Sequence, residues 1–192
     1  PISFGFDTAT KVYSEMVGNI LQDTPSSRKY WHFVKLMGRS ASHVTLEVAL
    51  QTHPHLTLIS EEVAQKKQTL AEIVSYIADT VIYRAKHGKQ YGVIIIPEGL
   101  IEFIPELNEL IQAINTAIGS ISSYNDKTIS ERKVAILDTL NSNLVSLFNS
   151  LPDQIQENLL TDRDAHGNLK VSQIPTELLL VEMVTEHLNK LK

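Results

Sequence analysis

Apolar residues in the first 118 positions follow two alternating patterns. Short, continuous apolar runs are typical of buried parallel strands, and they occupy residues 30–37, 56–59 and 91–96. Segments with apolar residues at three- and four-residue steps predict helices at about 7–21, 41–52, 69–87 and 104–118. Strands that alternate with helices predict a parallel α/β sheet.

Local signals set most of the predicted boundaries. Thr69 and Glu72 have the spacing of a capping box, His87-Gly88 is typical of a helix end, and Pro105 suits a first helical position. The segment 23–27, Asp-Thr-Pro-Ser-Ser, is expected to end the first helix near Leu21.

Strand signals nearly vanish after residue 118. Thr128 with Glu131 predicts another capping box, apolar residues at helical spacing continue to Pro152, and further helices are expected at 152–160 and 174–191. We therefore predict an α/β domain at 1–118 followed by a mainly helical insertion at 119–192.

Composition narrows the class of protein. The 192 residues are 43% hydrophobic, which predicts a folded core, and the net charge of −5 argues against broad binding of nucleic acid. The absence of cysteine excludes disulfides and thiolate chemistry. No apolar stretch approaches the roughly 20 residues that span a bilayer, so we expect a cytoplasmic protein without membrane contact.

The chain opens at Pro1 in what reads as the inside of a domain, which suggests an excised fragment.

The segment Met37-Gly38-Arg39 stands where a predicted strand meets a helix. Glycine lets a ligand approach the backbone, the helix start favours an anion, and arginine adds a permanent positive charge. Ligands of open α/β sheets also gather at the carboxyl ends of strands. Phosphate recognition is one interpretation, and a surface arginine beside an ordinary glycine turn is an equally good one.

Glu98 stands at the equivalent place after the third predicted strand, in Pro97-Glu-Gly99. A carboxylate there could accept hydrogen bonds from sugar hydroxyls while Arg39 holds a phosphate. On local grounds alone, a helix cap or a solvated side chain is the favoured alternative.

Other candidates for chemistry are weaker. Residues 162–167 resemble the start of a calcium loop, but Gln173 stands where a bidentate glutamate is needed, so we predict a turn. His43 and Glu47 are interpreted as an ordinary helix pair, and His53-Pro-His55 as a loop. We predict no metal site in this chain.

Several motifs, taken together, resemble the phosphofructokinase superfamily, and in detail its long pyrophosphate-dependent type. They run from Gly5-Phe-Asp-Thr-Ala9 through Met37-Gly-Arg-Ser-Ala-Ser-His43, Ala49-Leu-Gln-Thr-His-Pro54, Ile59-Ser-Glu-Glu62 and Pro97-Glu-Gly-Leu-Ile-Glu-Phe-Ile-Pro-Glu106 to Arg163-Asp-Ala-His-Gly-Asn168. The likeness covers nearly the whole chain, and it implies a three-layer α/β domain of phosphofructokinase type.

The resemblance implies a role for each candidate residue. Met37, Gly38 and Arg39 would contact the phosphate of fructose 6-phosphate, Arg39 would also stabilise charge on the transferred group, and Glu98 would bind a sugar hydroxyl. A basic residue before the Met-Gly-Arg motif reaches a neighbouring subunit's substrate in related enzymes. Here Tyr30 holds that position and Lys29 lies beside it, so either could make the contact.

The resemblance also implies partners and a pathway. The activity would be the reversible, magnesium-dependent transfer of phosphate from pyrophosphate to fructose 6-phosphate in glycolysis, by a homo-oligomer such as a dimer or tetramer. The family's donor loop and catalytic aspartate segment are expected before Pro1, so Mg²⁺ would be held mainly outside this chain, and the isolated fragment is predicted to be inactive. The alternatives are a non-catalytic, regulatory-type subunit and, for 119–192 only, a helical interaction module.

Overall fold

The computed structural model describes residues 5–38, 41–121, 124–163 and 169–191. These residues form an α/β domain with one parallel sheet. The three strands are β1 (Trp31–Leu36), β2 (Leu56–Thr57) and β3 (Gly92–Pro97). The ten α-helices of the described residues are α1 (Phe6–Ser27), α2 (His43–Thr52), α3 (Ser60–Lys66), α4 (Leu70–Lys86), α5 (Leu100–Phe103), α6 (Pro105–Ser120), α7 (Ile129–Leu137), α8 (Ser142–Ser150), α9 (Asp153–Thr161) and α10 (Thr176–Lys190).

The strand order is β1-β3-β2, with β3 in the centre and both pairings parallel. All six residues of β3 are buried, which explains why its sequence is apolar without alternation: helices cover both faces of the sheet.

The two faces of the sheet belong to two separate cores. Val93 and Ile95 pack with Leu36 and with Val17 and Val48 of α1 and α2. The alternate β3 residues, Ile94 and Ile96, belong to a larger core on the other face, built from the remaining helices. The predicted three-layer α/β fold is therefore confirmed.

Helices beyond residue 118 share that larger core. Phe148 and Leu179 are fully buried in it, and α10 packs against both β1 and α4. Lys35 of β1 forms an ion pair with Glu177 of α10, with 3.1 Å between Nζ and Oε2. The domain boundary at 118 stays a prediction, and the two predicted parts pack as neighbours around one set of apolar side chains.

Most local signals were interpreted correctly. Both capping boxes form, at Thr69 with Glu72 and at Thr128 with Glu131. Pro105 occupies the first turn of α6, and α4 ends immediately before His87.

The predicted end of the first helix was wrong. α1 continues through Pro25 to Ser27 and ends at Arg28, which has a left-handed φ of 53°. A proline in the last turn removes only one backbone hydrogen bond. Burial of Thr24, whose hydroxyl donates to the carbonyl of Ile20, holds that turn in place.

Two other boundaries were missed. α3 has only seven residues and one buried apolar side chain, Val63, so it has too little periodicity to be recognised. The apolar positions from 137 to 151 predicted an unbroken helix, but α7 and α8 are separate. Asn141 caps α8 by accepting a hydrogen bond from the Leu144 N–H at 2.9 Å, and asparagine favours that position over a helix interior.

Among the helices described, none is both long and apolar enough to cross a membrane.

Candidate functional site

Two of the predicted site motifs meet at the carboxyl end of the sheet. Leu36, the last residue of β1, is in register with Pro97, the last residue of β3. Because these strands are parallel neighbours, the residues that follow them leave the sheet side by side. Met37 and Gly38 therefore lie beside Glu98.

Glu98 connects the two motifs by hydrogen bonds. The Gly38 N–H donates to Glu98 Oε2 at 2.9 Å, and the Glu98 N–H donates to the Leu36 carbonyl at 3.1 Å. The Glu98 residue is only 8% exposed, so its carboxylate sits in a partly desolvated place where a bond from a backbone amide is strong. Glu98 is therefore not a solvated side chain, and its contact with a sugar hydroxyl stays a prediction.

The other residues of the Met-Gly-Arg motif differ in exposure. Met37 is 50% exposed, which leaves it available at the surface of the strand ends. Gly38 is half-buried, and a Cβ there would lie 3.4 Å from the Val44 side chain. Arg39, the predicted catalytic residue, lies outside the described residues.

A second carboxylate at this end of the sheet was not predicted. The Ser42 N–H donates to Glu61 Oε1 at 3.0 Å, and the Ser60 N–H donates to Ser42 Oγ at 2.9 Å. Burial acts to raise the pKa of the Glu61 carboxyl. Hydrogen bonds from the Ser42 backbone, the Glu61 backbone and the Ser42 side chain, together with the charge of His43, outweigh burial and lower the pKa below its ordinary value. The available sequence signal was the position of Ser60 and Glu61 directly after a strand.

Lys29 and Tyr30 lie at the opposite end of β1. Tyr30 is exposed, and its carbonyl accepts the N–H of Gly92 at the start of β3. A six-residue strand separates the pair from Met37, a span of about 20 Å. Within one chain, Lys29 and Tyr30 are therefore too distant to share a small ligand with Gly38.

A surface cleft of about 820 Å³ lies next to the site. Glu102 of α5 lies in it, and burial followed by the negative charge of Glu98 raises the pKa of the Glu102 carboxyl. Met37, Gly38 and Glu98 do not line this cleft. The residues that do are Ala64, Lys67, Glu102, Phe103, Pro105, Asn108 and Glu109.

The weaker candidates have structural partners. Glu47 accepts a hydrogen bond from Gln51 on its own helix, and His55 Nδ1 accepts the Val93 N–H at 2.9 Å at the amino end of the sheet. The predicted turn at 164–168 lies outside the described residues. The residues that flank it, Arg163 and Leu169, form an antiparallel bridge, and both donate hydrogen bonds to the Asn115 side-chain oxygen.

Comparison with known proteins shows to which family the chain belongs. The sequence profile of the family described as Phosphofructokinase matches residues 1–140, more than half of the chain. The chain belongs to the phosphofructokinase family.

Three relatives from different organisms narrow the likeness within the phosphofructokinases. A pyrophosphate–fructose 6-phosphate 1-phosphotransferase of Treponema pallidum (strain Nichols) is 52% identical over 99% of this chain and 34% of its own length. Subunit beta 1 of the Arabidopsis thaliana protein of that name is 50% identical over 100% of this chain and 33% of its own length. Subunit alpha of the Solanum tuberosum protein is 40% identical over 97% of this chain and 29% of its own length. The chain thus spans about one third of the length of the curated relatives it matches.

Proposed function

We propose that this chain is the fructose 6-phosphate-binding segment of a reversible, pyrophosphate-dependent 6-phosphofructokinase. The observation that carries the proposal is the 2.9 Å hydrogen bond from the Gly38 N–H to Glu98 Oε2. It joins the motif assigned to the sugar phosphate to the motif assigned to the sugar hydroxyls, at the sheet edge where α/β proteins bind ligands. The names of the relatives support pyrophosphate as the donor.

Each residue has one part in the proposed chemistry. Met37, Gly38 and Arg39 contact the phosphate of the acceptor, and the Glu98 carboxylate accepts a hydrogen bond from a sugar hydroxyl. A carboxylate offers about four acceptor directions, so the bond from Gly38 does not by itself exhaust Glu98. The guanidinium of Arg39 stabilises negative charge that develops on the transferred group.

The group transfer is a single displacement at phosphorus. The 1-hydroxyl oxygen of fructose 6-phosphate forms a bond to one phosphorus of pyrophosphate, and the bond from that phosphorus to the bridging oxygen breaks. Inorganic phosphate leaves with the bridging electron pair, and the hydroxyl proton passes to a base. We assign neither that base nor the pyrophosphate-binding groups to a described residue.

The proposed need for magnesium rests only on the resemblance to the family. Within the described ranges, no group of three or more histidine, cysteine, aspartate or glutamate side chains is placed to hold a metal ion. We therefore derive no step through Mg²⁺, and we propose that it is held mainly by residues outside this chain.

The wider setting is proposed on the same basis. We place the activity in glycolysis and in the cytoplasm, in an oligomer whose chains share substrate sites. Lys29 and Tyr30, at the amino end of β1, are the proposed contacts to a neighbouring subunit's substrate. Their distance from Gly38 within one chain supports this assignment to another subunit's site.

The regulatory-type alternative is not favoured. The chain is 50% identical to the beta subunit of the Solanum tuberosum protein and 40% identical to its alpha subunit. The presence of Met37, Gly38, Arg39 and Glu98 together supports a segment that contributes to a functional acceptor site.

A chimaera tests the proposal. These 192 residues replace the matching third of the Treponema pallidum relative, and formation of fructose 1,6-bisphosphate from fructose 6-phosphate, pyrophosphate and Mg²⁺ is measured by a coupled assay. We expect turnover within about tenfold of the parent relative. A chimaera that folds, as judged by its thermal unfolding, but has no turnover with pyrophosphate contradicts the proposal. Glu109→Gln, a substitution in the neighbouring cleft, is the matched control and should leave turnover unchanged.

A further inference from the structure

The backbone N–H groups of Gly38 and Ser42, on either side of Arg39 in the sequence, both donate to carboxylates from other parts of the chain. On its amino side, the Gly38 N–H donates to Glu98 at 2.9 Å. On its carboxyl side, the Ser42 N–H donates to Glu61 at 3.0 Å. Hydrogen bonds from backbone amides to carboxylates are charge-assisted and roughly twice as strong as neutral ones.

Ser42 has a second hydrogen bond to the start of α3, where Glu61 lies. Its side chain is buried, with 2% of the residue exposed, and its Oγ accepts the Ser60 N–H at 2.9 Å. Two consecutive residues at the start of α3, Ser60 and Glu61, thus hold one residue at the start of α2. The Ser42 carbonyl in turn accepts the Leu46 N–H, so the anchored residue also begins helix α2.

We propose that Glu61 is a positioning residue for the acceptor site: by fixing Ser42, it sets the start of α2, which packs beside Gly38 through Val44. This inference rests on the proposed function, because it assigns the Met-Gly-Arg motif to the acceptor phosphate. Glu61 itself touches no substrate in the proposal. Its depressed pKa is consistent with a carboxylate that remains ionised while it accepts these hydrogen bonds.

The adjacent residue provides the comparison. Glu61 and Glu62 both lie in the first turn of α3, where a negative charge interacts favourably with the helix dipole. Glu62 turns back along its own helix and pairs with Lys66, with 3.1 Å between Oε2 and Nζ. The two residues therefore share the helix charge effect and differ in the contact with Ser42.

Three variants of the 192-residue chain separate the two effects: Glu61→Ala, Glu61→Gln and Glu62→Ala. Glutamine keeps an acceptor oxygen for the Ser42 N–H, whereas alanine removes it. Exchange of the Ser42 amide hydrogen is followed by NMR in this chain. The affinities for fructose 6-phosphate and pyrophosphate are measured by calorimetry in the Treponema pallidum chimaera that carries the same substitutions.

We expect Glu61→Ala to speed exchange of the Ser42 amide by about tenfold and to weaken fructose 6-phosphate binding by about tenfold, the equivalent of one hydrogen bond. Glu61→Gln should recover most of both losses, and Glu62→Ala should change neither. Binding of pyrophosphate should be the same in all three.

Two results would overturn the proposal. One is equal loss of fructose 6-phosphate affinity in Glu61→Ala and Glu62→Ala, which would assign the effect to helix charge. The other is a Ser42 amide whose exchange is unchanged in Glu61→Ala, whether or not the sugar phosphate binds. If the chimaera without these substitutions binds no fructose 6-phosphate, the proposed function fails, and amide exchange alone still decides whether Glu61 anchors Ser42.

Discussion

Glu98 and Gly38 are 60 residues apart in the chain, yet the Gly38 N–H donates to Glu98 Oε2 over 2.9 Å. The glutamate therefore has a structural contact in addition to its proposed sugar contact. Glu98→Ala should lower the free energy of unfolding by about 1–3 kcal/mol, because the half-buried Gly38 amide loses its acceptor. Urea unfolding measures this change.

Glu98→Gln separates the two roles. Glutamine retains an acceptor for Gly38, so unfolding should change by less than in the alanine variant. Binding of fructose 6-phosphate should weaken by about tenfold or more, since charge-assisted hydrogen bonds to hydroxyls are lost. Calorimetric titration of the chimaera carrying Glu98→Gln measures both affinities. Weakened pyrophosphate binding with normal sugar-phosphate binding would show that Glu98 does not belong to the acceptor half of the site.

Arg39→Ala should lower the maximal rate more than it raises the Michaelis constant for fructose 6-phosphate. The reason is that negative charge on the transferred group is greater in the transition state than in the ground state. The loss should be on the order of 10²-fold, as for removal of a preorganised donor. Steady-state kinetics of the chimaera measure both constants, and an unchanged maximal rate would reassign Arg39 to ground-state binding.

The pKa of His55 predicts how stability depends on pH. Burial, and then the positive charges of Arg84 and Lys89, lower the His55 pKa below 6.5. The unfolded chain therefore binds this proton at a higher pH than the folded chain does. The His55 contribution to stability should be complete above about pH 6.5 and decline as the pH falls below that value.

His55→Asn tests this dependence. Asparagine offers an oxygen near the position of Nδ1, where His55 accepts the Val93 N–H, and it does not titrate in this range. Unfolding free energies measured between pH 7.5 and 5.5 should fall less steeply in this variant. His53→Asn, in the exposed part of the same loop, is the control and should retain the slope of the parent chain.

Gly92 has no room for a side chain. A Cβ there would overlap the Trp31 ring, which itself packs near His55 and the guanidinium of Arg84. Gly92→Ala should lower the free energy of unfolding by about 1–3 kcal/mol through overpacking. Gly119→Ala, in α6 with open space around it, should instead stabilise the chain by about 0.5–1 kcal/mol. Equal effects of the two substitutions in chemical denaturation would contradict this contrast.

The ion pair of Lys35 with Glu177 should stabilise the packing of α10 on β1. The side chains are 14% and 27% exposed, and Lys35 Nζ also donates to the Ile174 carbonyl at 3.2 Å. Lys35→Met keeps the apolar stem but removes the charge, and should cost about 1–3 kcal/mol. Lys190→Met breaks the exposed pair with Glu186 in the same helix and should cost about 0.5 kcal/mol or less. A similar loss of thermal stability in both variants would argue against the role of Lys35.

Features that depend on residues close together in the sequence were predicted correctly, whereas features that depend on contacts between distant parts of the chain were not. Capping boxes such as Thr69 with Glu72 were predictable because both partners lie within one turn of helix. β3 was recognised as a buried central strand because burial on both faces demands an unbroken apolar run. The passage of α1 through Pro25 was not predictable, since it depends on burial of Thr24 against the rest of the fold.

The same distinction between local and distant contacts applies to the candidate site. The sequence alone determined its motifs: Met37-Gly38-Arg39 and Glu98 were chosen because glycine, arginine and glutamate stand directly after apolar strands. The tertiary structure decided which of these groups meet. The strand order β1-β3-β2 brings Glu98 to Gly38, and the return of the chain after β2 brings Glu61 to Ser42. No sequence pattern predicts the partner of a single carboxylate such as Glu61. That partner depends on which distant strands pair and which apolar faces they bury.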